Sequence, residues 1–236
     1  MSRVHSKSSR VLVNAYHLSG DIKSWRYEHR RNYGELTSIL STGEEWIPGQ
    51  LAGSVGLTGN FNSGAGNIST VLDTAATTAA GLLVTIAPEG LTVGNLALIA
   101  DGNVSARSVD SAVKDAVALS IEGTPNDGVD MGVWLHALSA ETADSNGSSV
   151  DNAASSANGG VGSLHVTAFS GLTNIVIKVQ HSTDNSSWSD LVTFTTVTAT
   201  TWERKLVTGT VNRYVRAWWD VTGTGSCTFA MAFARR

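Results

Sequence analysis

Alternation of apolar and polar positions runs through most of this chain and predicts strands. Leu164, Val166 and Ala168 alternate with His165 and Thr167, and Ile175, Ile177 and Val179 with Asn174, Lys178 and Gln180. Val117, Leu119 and Ile121 do the same among small or polar neighbours. Strands are expected over 10–13, 24–29, 55–61, 82–87, 95–100, 103–109, 116–122 and 130–138, with a turn at 124–128 between the last two. Further strands are expected over 164–168, 174–180, 191–196, 202–207, 211–221 and 227–233, and their spacing by short turns predicts an antiparallel β-sandwich. One segment has helical period: Ile68, Val71, Leu72, Ala75, Ala76 and Ala79 predict a short helix over 68–80, with Asn67 as N-cap and Gly81 just past its end. Two stretches lack any period. Residues 33–50 read as a long exposed loop that ends against something apolar through Trp46, Ile47 and Leu51. Residues 139–160, rich in Ser, Ala, Asn, Gly and Asp, read as an interdomain connection or long edge loop.

Composition adds limits. At 236 residues the chain suffices for one large or two small domains, and 42% apolar with 15% charged residues is unlike a disordered chain. Charge is unevenly placed: residues 1–32 hold Arg3, Lys7, Arg10, Lys23, Arg26, Arg30 and Arg31 against Asp21 and Glu28, leaving nine basic and eighteen acidic groups beyond. A basic segment suits nucleic acid or an acidic neighbouring subunit, and the acidic body favours the subunit. Cys227 alternates with Phe229, Met231 and Phe233, so it reads as a core residue, and a lone cysteine gives no disulfide framework. The basic N-terminus is followed by no apolar signal region, and no apolar run spans a bilayer. A soluble chain made in a cytoplasm, with no membrane partner, is the expectation.

The search for chemistry returns little. There is no Gly-x-Ser-x-Gly elbow and no phosphate loop, and Gly64-Ala65-Gly66 lacks the third glycine of a dinucleotide fingerprint. The histidines lack ligand spacing, and His165 and His181 read as solvent-side strand residues. Asp144, Asp151, Asp184 and Asp190 lie in polar loops without the spacing of a calcium loop. No catalytic residue, metal or cofactor is therefore expected. Trp188, Trp202, Trp218 and Trp219 raise a sugar-stacking platform as an alternative. In 211–221, however, Val215, Ala217, Trp219 and Val221 share one face and Tyr214, Arg216, Trp218 and Asp220 the other. Trp219 is thus expected in the core, with Trp218 beside Arg216 as an exposed contact for a subunit or ligand.

Three stretches carry a family resemblance. The first is Asn14-Ala15-Tyr16-His17-Leu18-Ser19-Gly20-Asp21-Ile22-Lys23-Ser24-Trp25; the second runs from Glu44 through Pro48-Gly49 to Val55, Leu57, Gly59 and Phe61. The third comprises 179–188 and 209–216 in the C-terminal part. In this order they resemble the tail tube proteins, or major tail proteins, of long-tailed bacteriophages of the actinophage type. Gln50 and Ala52 stand where that family often has Leu and Asp, and 32–42 replaces a more acidic loop. The resemblance implies an all-β chain with one short helix: a tail-tube-type antiparallel β-sandwich or barrel domain over 1–138, then a C-terminal antiparallel β-sandwich domain over 161–236. It implies a non-enzymatic virion protein that self-assembles into stacked hexameric rings forming the conduit for DNA ejection. Implied partners are further copies, the tape measure, tail terminator and distal tail proteins, and DNA that passes without specific binding. Arg30, Arg31, Trp46, Ile47 and Leu51 are the expected inter-subunit contacts, with the 33–50 arm reaching a neighbour. Asp110, Asp115 and Glu122 are the expected lumen residues, because a cationic wall would hold phosphates. The alternative is a carbohydrate-binding or decoration β-sandwich protein of the virion.

Overall fold

A computed structural model describes residues 6–78, 81–113 and 115–236. In chain order the elements are a 3-10 turn at Ser6–Ser8, β1 (Arg10–Val13), β2 (Tyr16–His17), β3 (Ile22–Glu35), β4 (Trp46–Asn60), α1 (Ile68–Thr77), β5 (Leu82–Ala87), β6 (Leu96–Asp110) and β7 (Ala118–Glu141). Then come β8 (Ser145–Asn146), β9 (Val150–Asp151), β10 (Gly160–Ser182), β11 (Ser189–Thr193), β12 (Thr201–Val207) and β13 (Tyr214–Arg235). The chain is all-β and antiparallel with one short helix.

Two strands organise the molecule by changing partners midway. The first part of β6 pairs with β5, from Leu98↔Ile86 to Gly102↔Leu82, whereas its second part, from Asn103, has β7 alone. β7 pairs with β4 over its first residues, from Ala118 to Gly123, and with β13 from Val133 to Glu141. The transition lies at register shifts after Ala100 and Val104. There Gly102 passes so close to the Thr124 carbonyl that no side chain fits, and Gly128 takes φ +71. Residues 124–128, expected as a chain reversal, thus bend a continuous strand from one sheet to the next. The expected strands 95–100 and 103–109 likewise form one strand.

The helix fills the space between the two sheets thus formed. Ile68, Val71, Leu72 and Ala75 are buried with Val55, Leu57, Val84, Ile86, Leu119 and Ile121. Asn67 sits at the N-cap without a side-chain bond, and the Asp21 carboxylate instead accepts the Ile68 N–H at 3.1 Å. The helix ends at Thr77, short of the expected residue 80; Ala79 and Ala80 lie outside the described residues, as do Arg3 and His5.

β10 and β13 run antiparallel for most of their length over a second core that includes Leu164, Ile175, Ile177, Val215, Trp219 and Phe229. A third cluster, in which Leu12, Leu83, Ile99 and Trp134 meet Ala230, Ala232 and Ala234, joins the two halves of the chain. The sheet is continuous across residue 138 through the β7–β13 ladder. Residues 139–160 are not free chain either: β8 and β9 clip onto the edge of β13 at Trp218↔Asn146 and Val215↔Val150.

His165 overturns its solvent-side expectation. The start of β10 is buried on both faces, and His165 is fully inaccessible. Its Nδ1 lies 2.6 Å from the Asn14 carbonyl oxygen and its Nε2 2.7 Å from the Thr85 hydroxyl, so it ties β10 to the β1–β2 turn and to β5.

Candidate assembly surfaces

The lower halves of β3, β4, β7 and β6 form a four-stranded sheet with two unlike faces. One face carries the row Trp25–Leu57–Ile121–Arg107 and lies against the helix, where Arg107 pairs with Asp73 of α1 at 2.6 Å. The opposite face carries Ser24–Thr58–Ser120–Ser108 and Arg26–Gly56–Glu122–Ala106. Among the described residues nothing covers it, and its side chains are small, polar or both; Thr58 and Ser120 share a hydrogen bond of 3.1 Å across it. Sheets of antiparallel strands often leave one such face to water.

Among the described residues the same sheet has two unpaired edges. β3 pairs with β4 alone along its whole length, and from Asn103 onward β6 pairs with β7 alone. Each edge presents a row of free backbone donors and acceptors, which soluble monomers ordinarily shorten, cover or bulge. The β3 edge carries Lys23, Arg26, Arg30 and Arg31 against Glu28 and Glu35; β6 ends on Asp110, with Asp115 in the loop beyond it, while Arg107 of β6 is paired with Asp73 of the helix.

The long loop expected over 33–50 is shorter than the sequence suggests. β3 and β4 continue as a two-stranded ribbon, with Tyr33↔Pro48, Gly34↔Ile47 and Glu35↔Trp46 paired, and only 36–45 lie outside the strands. Above Gly53 neither strand has another partner, which leaves about 25 Å of ribbon at roughly 3.3 Å per residue. Its side chains are exposed on both faces, so no alternation marked it as strand. Apolar groups gather there: Trp46, Ile47 and Leu51 are 52%, 50% and 44% exposed, and Ile39 and Leu40 at the tip are open to solvent. An exposed apolar ribbon of this kind marks an interaction site.

Arg30 and Arg31 are exposed but, as neighbours in a strand, project to opposite faces. Arg30 joins Arg26 and Glu28 on the open face, with Glu28 at 3.0 Å from Arg26 and 3.8 Å from Arg30. The two arginines therefore present to different surfaces. Glu122 and Asp110 lie on the open face, while Asp115 belongs to the β6–β7 loop and not to a strand. Trp46, Ile47 and Leu51 all lie on the ribbon.

At the ribbon's base, two acids and two arginines join distant parts of the chain. Asp130 is 8% exposed and accepts bonds from Arg204 of β12 at 3.1 Å and from Arg236 at 2.8 Å. Asp127 takes Arg204 at 3.1 Å and Arg236 at 2.8 Å. Burial alone pushes the Asp127 carboxyl up, but the bonds from Arg236 and Arg204 outweigh it and hold the carboxyl below its ordinary range. Sequence reasoning missed this network because its members stand far apart in the chain.

Trp219 is buried, its indole N–H bonded to the Ala143 carbonyl at 3.1 Å. Trp218 and Arg216 do share the other face of β13 but have different partners. Lys178 lies 4.8 Å from the Trp218 ring centre, and the Arg216 guanidinium 4.1 Å from that of Trp188. Trp202 packs against the cluster that joins the two halves. The four tryptophans therefore do not converge on one platform.

Ser139, His136 and Glu141 meet beneath Trp219, an arrangement no motif announced. The His136 Nε2 lies 3.1 Å from Glu141 Oε1, its Nδ1 3.1 Å from the Phe229 carbonyl, and the Ser139 hydroxyl bonds the same glutamate at 3.0 Å. In a catalytic triad the carboxylate orients one ring nitrogen and the serine faces the other. Here the serine and the carboxylate share one nitrogen's side, so the group acts as packing, with the ring stacked on Phe229. Among the described residues no three of His, Cys, Asp and Glu are placed to hold a metal ion, and no helix is long and apolar enough to cross a membrane.

No family model and no curated protein matches the chain. Solved structures do. A chain from the virion of a native gene transfer agent particle is 8% identical with a TM-score of 0.45, the match covering 55% of this chain and 98% of that one. The SPP1 tail tube is 15% identical with a TM-score of 0.43, covering 55% and 78%. The SPP1 Dit (gp 19.1) protein, described as a paradigm of hub adsorption apparatus in Gram-positive infecting phages, is 10% identical with a TM-score of 0.38, covering 95% and 98%. These are virion, tail tube and baseplate hub structures; at such identities and scores the likeness adds nothing to the all-β architecture described above.

Proposed function

We propose that this chain is the repeating subunit of a phage tail tube, assembling into hexameric rings that stack into a conduit for DNA. The observation that carries this reading is the four-stranded sheet β3–β4–β7–β6, open on one small-polar face and unpaired at both edges. Strand directions alternate across it, so in a ring the β6 edge of one copy meets the β3 edge of the next antiparallel, and closure pairs both edges of this sheet. Charge favours that joint at its end, where the excess of cations along β3 meets Asp110 and Asp115. Six copies supply roughly 24 strands; at about 4.8 Å spacing and a tilt near 40° the barrel is about 48 Å across its backbone, wide enough for a DNA duplex.

The open face becomes the inner wall. Its charged groups are Arg26 and Arg30 against Glu28, Glu122 and Asp110, a balance that gives phosphates no net cationic surface to bind. The exposed ribbon, with Trp46, Ile47 and Leu51, reaches a copy in the adjacent ring, a heterologous contact that extends without closing. The C-terminal sandwich over 161–236 stands outside this wall. The ends of the stack meet other tail proteins, among them the tape measure, terminator and distal tail proteins, and the protein resides in the virion tail.

The reading is tested by negative-stain microscopy and sedimentation velocity of the purified chain over rising concentration. Rings or tubes with a central hole are expected. A monodisperse monomer at all concentrations contradicts it. Glycan binding by that monomer supports the alternative of a carbohydrate-binding decoration protein, which the scattered tryptophans do not favour.

A further inference from the structure

Beside the β3 edge, the sandwich gapes between β1 and β3. The groove there has a volume of about 890 Å³ and is lined by Lys7, Arg10, Ile22, Lys23, Trp25 and Pro88, among others. Three cations surround it. Arg10 donates to the backbone carbonyls of Lys7 and Ser9, and neither Arg10 nor Lys23 has an ion-pair partner among the described residues. The nearest carboxylate in sequence, Asp21, is turned away to the helix N–H of Ile68.

At the other edge of the same sheet stands the β6–β7 loop. Asp110, Val113 and Asp115 are exposed, Val113 completely, and neither aspartate has an ion-pair partner among the described residues. With Lys114 the segment 110–117 carries a net charge of −1. The sheet register fixes its height. Asp110 pairs with Ala118, Ala118 with Asn60, and the Asn60 N–H bonds the Asp21 carbonyl at 3.0 Å. One copy's loop and its neighbour's groove, which begins one residue beyond Asp21, thus lie at the same level of a ring. A half-loop reach of about 10 Å covers a stagger of a few residues from strand tilt.

Resting on the ring reading above, we propose that residues 110–117 of one copy seat in this groove of the next. Asp110 and Asp115 face Lys7, Arg10 and Lys23, and Val113 enters among Ile22, Trp25 and Pro88. The occupant is a second copy because the two features sit on the two edges that closure brings together, with opposite charge and with an exposed apolar tip facing an apolar floor. Asp110 and Asp115 thereby leave the lumen set and become interface residues, and the inner wall keeps Arg26 and Arg30 against Glu28 and Glu122.

A Pro88→Cys, Val113→Cys double variant, oxidised after assembly, tests the contact. Cys227 does not interfere, since burial pushes its thiol up to about 12. The double variant is expected to give a ladder of covalent oligomers beyond the dimer on a non-reducing denaturing gel, which neither single variant can form. Independently, Arg10→Glu with Lys23→Glu is expected to raise the concentration needed for assembly about tenfold or more, and adding Asp110→Lys with Asp115→Lys is expected to restore it. If the unaltered chain forms rings but the double variant stops at dimers and the charge exchange gives no rescue, the contact is refuted and the ring reading stands. If the unaltered chain forms no rings, the ring reading itself fails, and this inference with it.

Discussion

Replacing His165 with glutamine changes how the stability of the subunit responds to acid. The ring is fully buried, with Nδ1 against the Asn14 carbonyl and Nε2 against the Thr85 hydroxyl, which also lies 3.3 Å from the Ser163 hydroxyl. Burial pushes its pKa down from 6.5 to about 4, and the bond to the Asn14 carbonyl only partly opposes this. The unfolded chain therefore takes up a proton that the folded chain refuses. Above pH 6.5 neither state is protonated and the group adds no pH dependence. Below it stability falls, until both states are protonated near pH 4. The fall from 6.5 to about 4 makes the full loss about 3.5 kcal/mol, of which about 2.5 kcal/mol is gone by pH 4.5. Urea unfolding of unassembled protein at pH 8 and pH 4.5 measures it. At pH 8 the unaltered chain should exceed H165Q by roughly 1–3 kcal/mol for the lost hydrogen bonds and packing. At pH 4.5 that advantage should vanish or reverse. His17, His136 and His181, also lowered by burial, are common to both proteins and cancel. An advantage of the unaltered chain over H165Q that is unchanged between the two pH values refutes the reasoning.

The remaining expectations concern the core, the ribbon and the wall. Trp134 is the largest fully buried side chain, yet its indole nitrogen has no hydrogen-bond partner, whereas that of Trp219 bonds Ala143. Trp219→Phe should therefore cost about 1–2 kcal/mol more in denaturant unfolding than Trp134→Phe; an equal or reversed order contradicts the assignment. Replacing residues 37–44 by a two-residue turn should leave the thermal midpoint within a few degrees but yield single rings in place of tubes on sedimentation. Glu122→Lys with Ser120→Lys should leave subunit stability within about 0.5 kcal/mol yet make tubes retain duplex DNA at low salt and release it at high salt. No retention would remove the open face from the inner wall.

What was legible in the sequence depended on which faces of each element are buried. β1 and β5 appear where their apolar runs put them, because both of their faces are buried, and α1 begins where its period begins, because it buries one coherent face. His165 misled because alternation there does not mean one wet face: β1 and β5 cover the side that the pattern left polar, and a histidine is tolerated because both ring nitrogens find partners. The ribbon was illegible for the opposite reason, as both faces are exposed and nothing in the subunit imposes a period. Pro125 to Gly128 carried a true signal for bent backbone, but a bend within a strand and a reversal between strands use the same residues. Asp127, Asp130, Arg204 and Arg236, and likewise the groove and the loop at the two sheet edges, are brought together only by topology.

The central claim is that the β3 edge of one copy pairs with the β6 edge of the next to close a ring lined by the open face. A cryo-electron microscopy reconstruction of tubes formed by the purified chain tests it directly. The account predicts a continuous antiparallel barrel with Ser24, Thr58, Ser120, Ser108 and Glu122 facing the lumen and β3 hydrogen-bonded to residues 103–110 of a neighbouring copy. A ring in which those edges stay unpaired, or in which β10 and β13 line the channel, would contradict it.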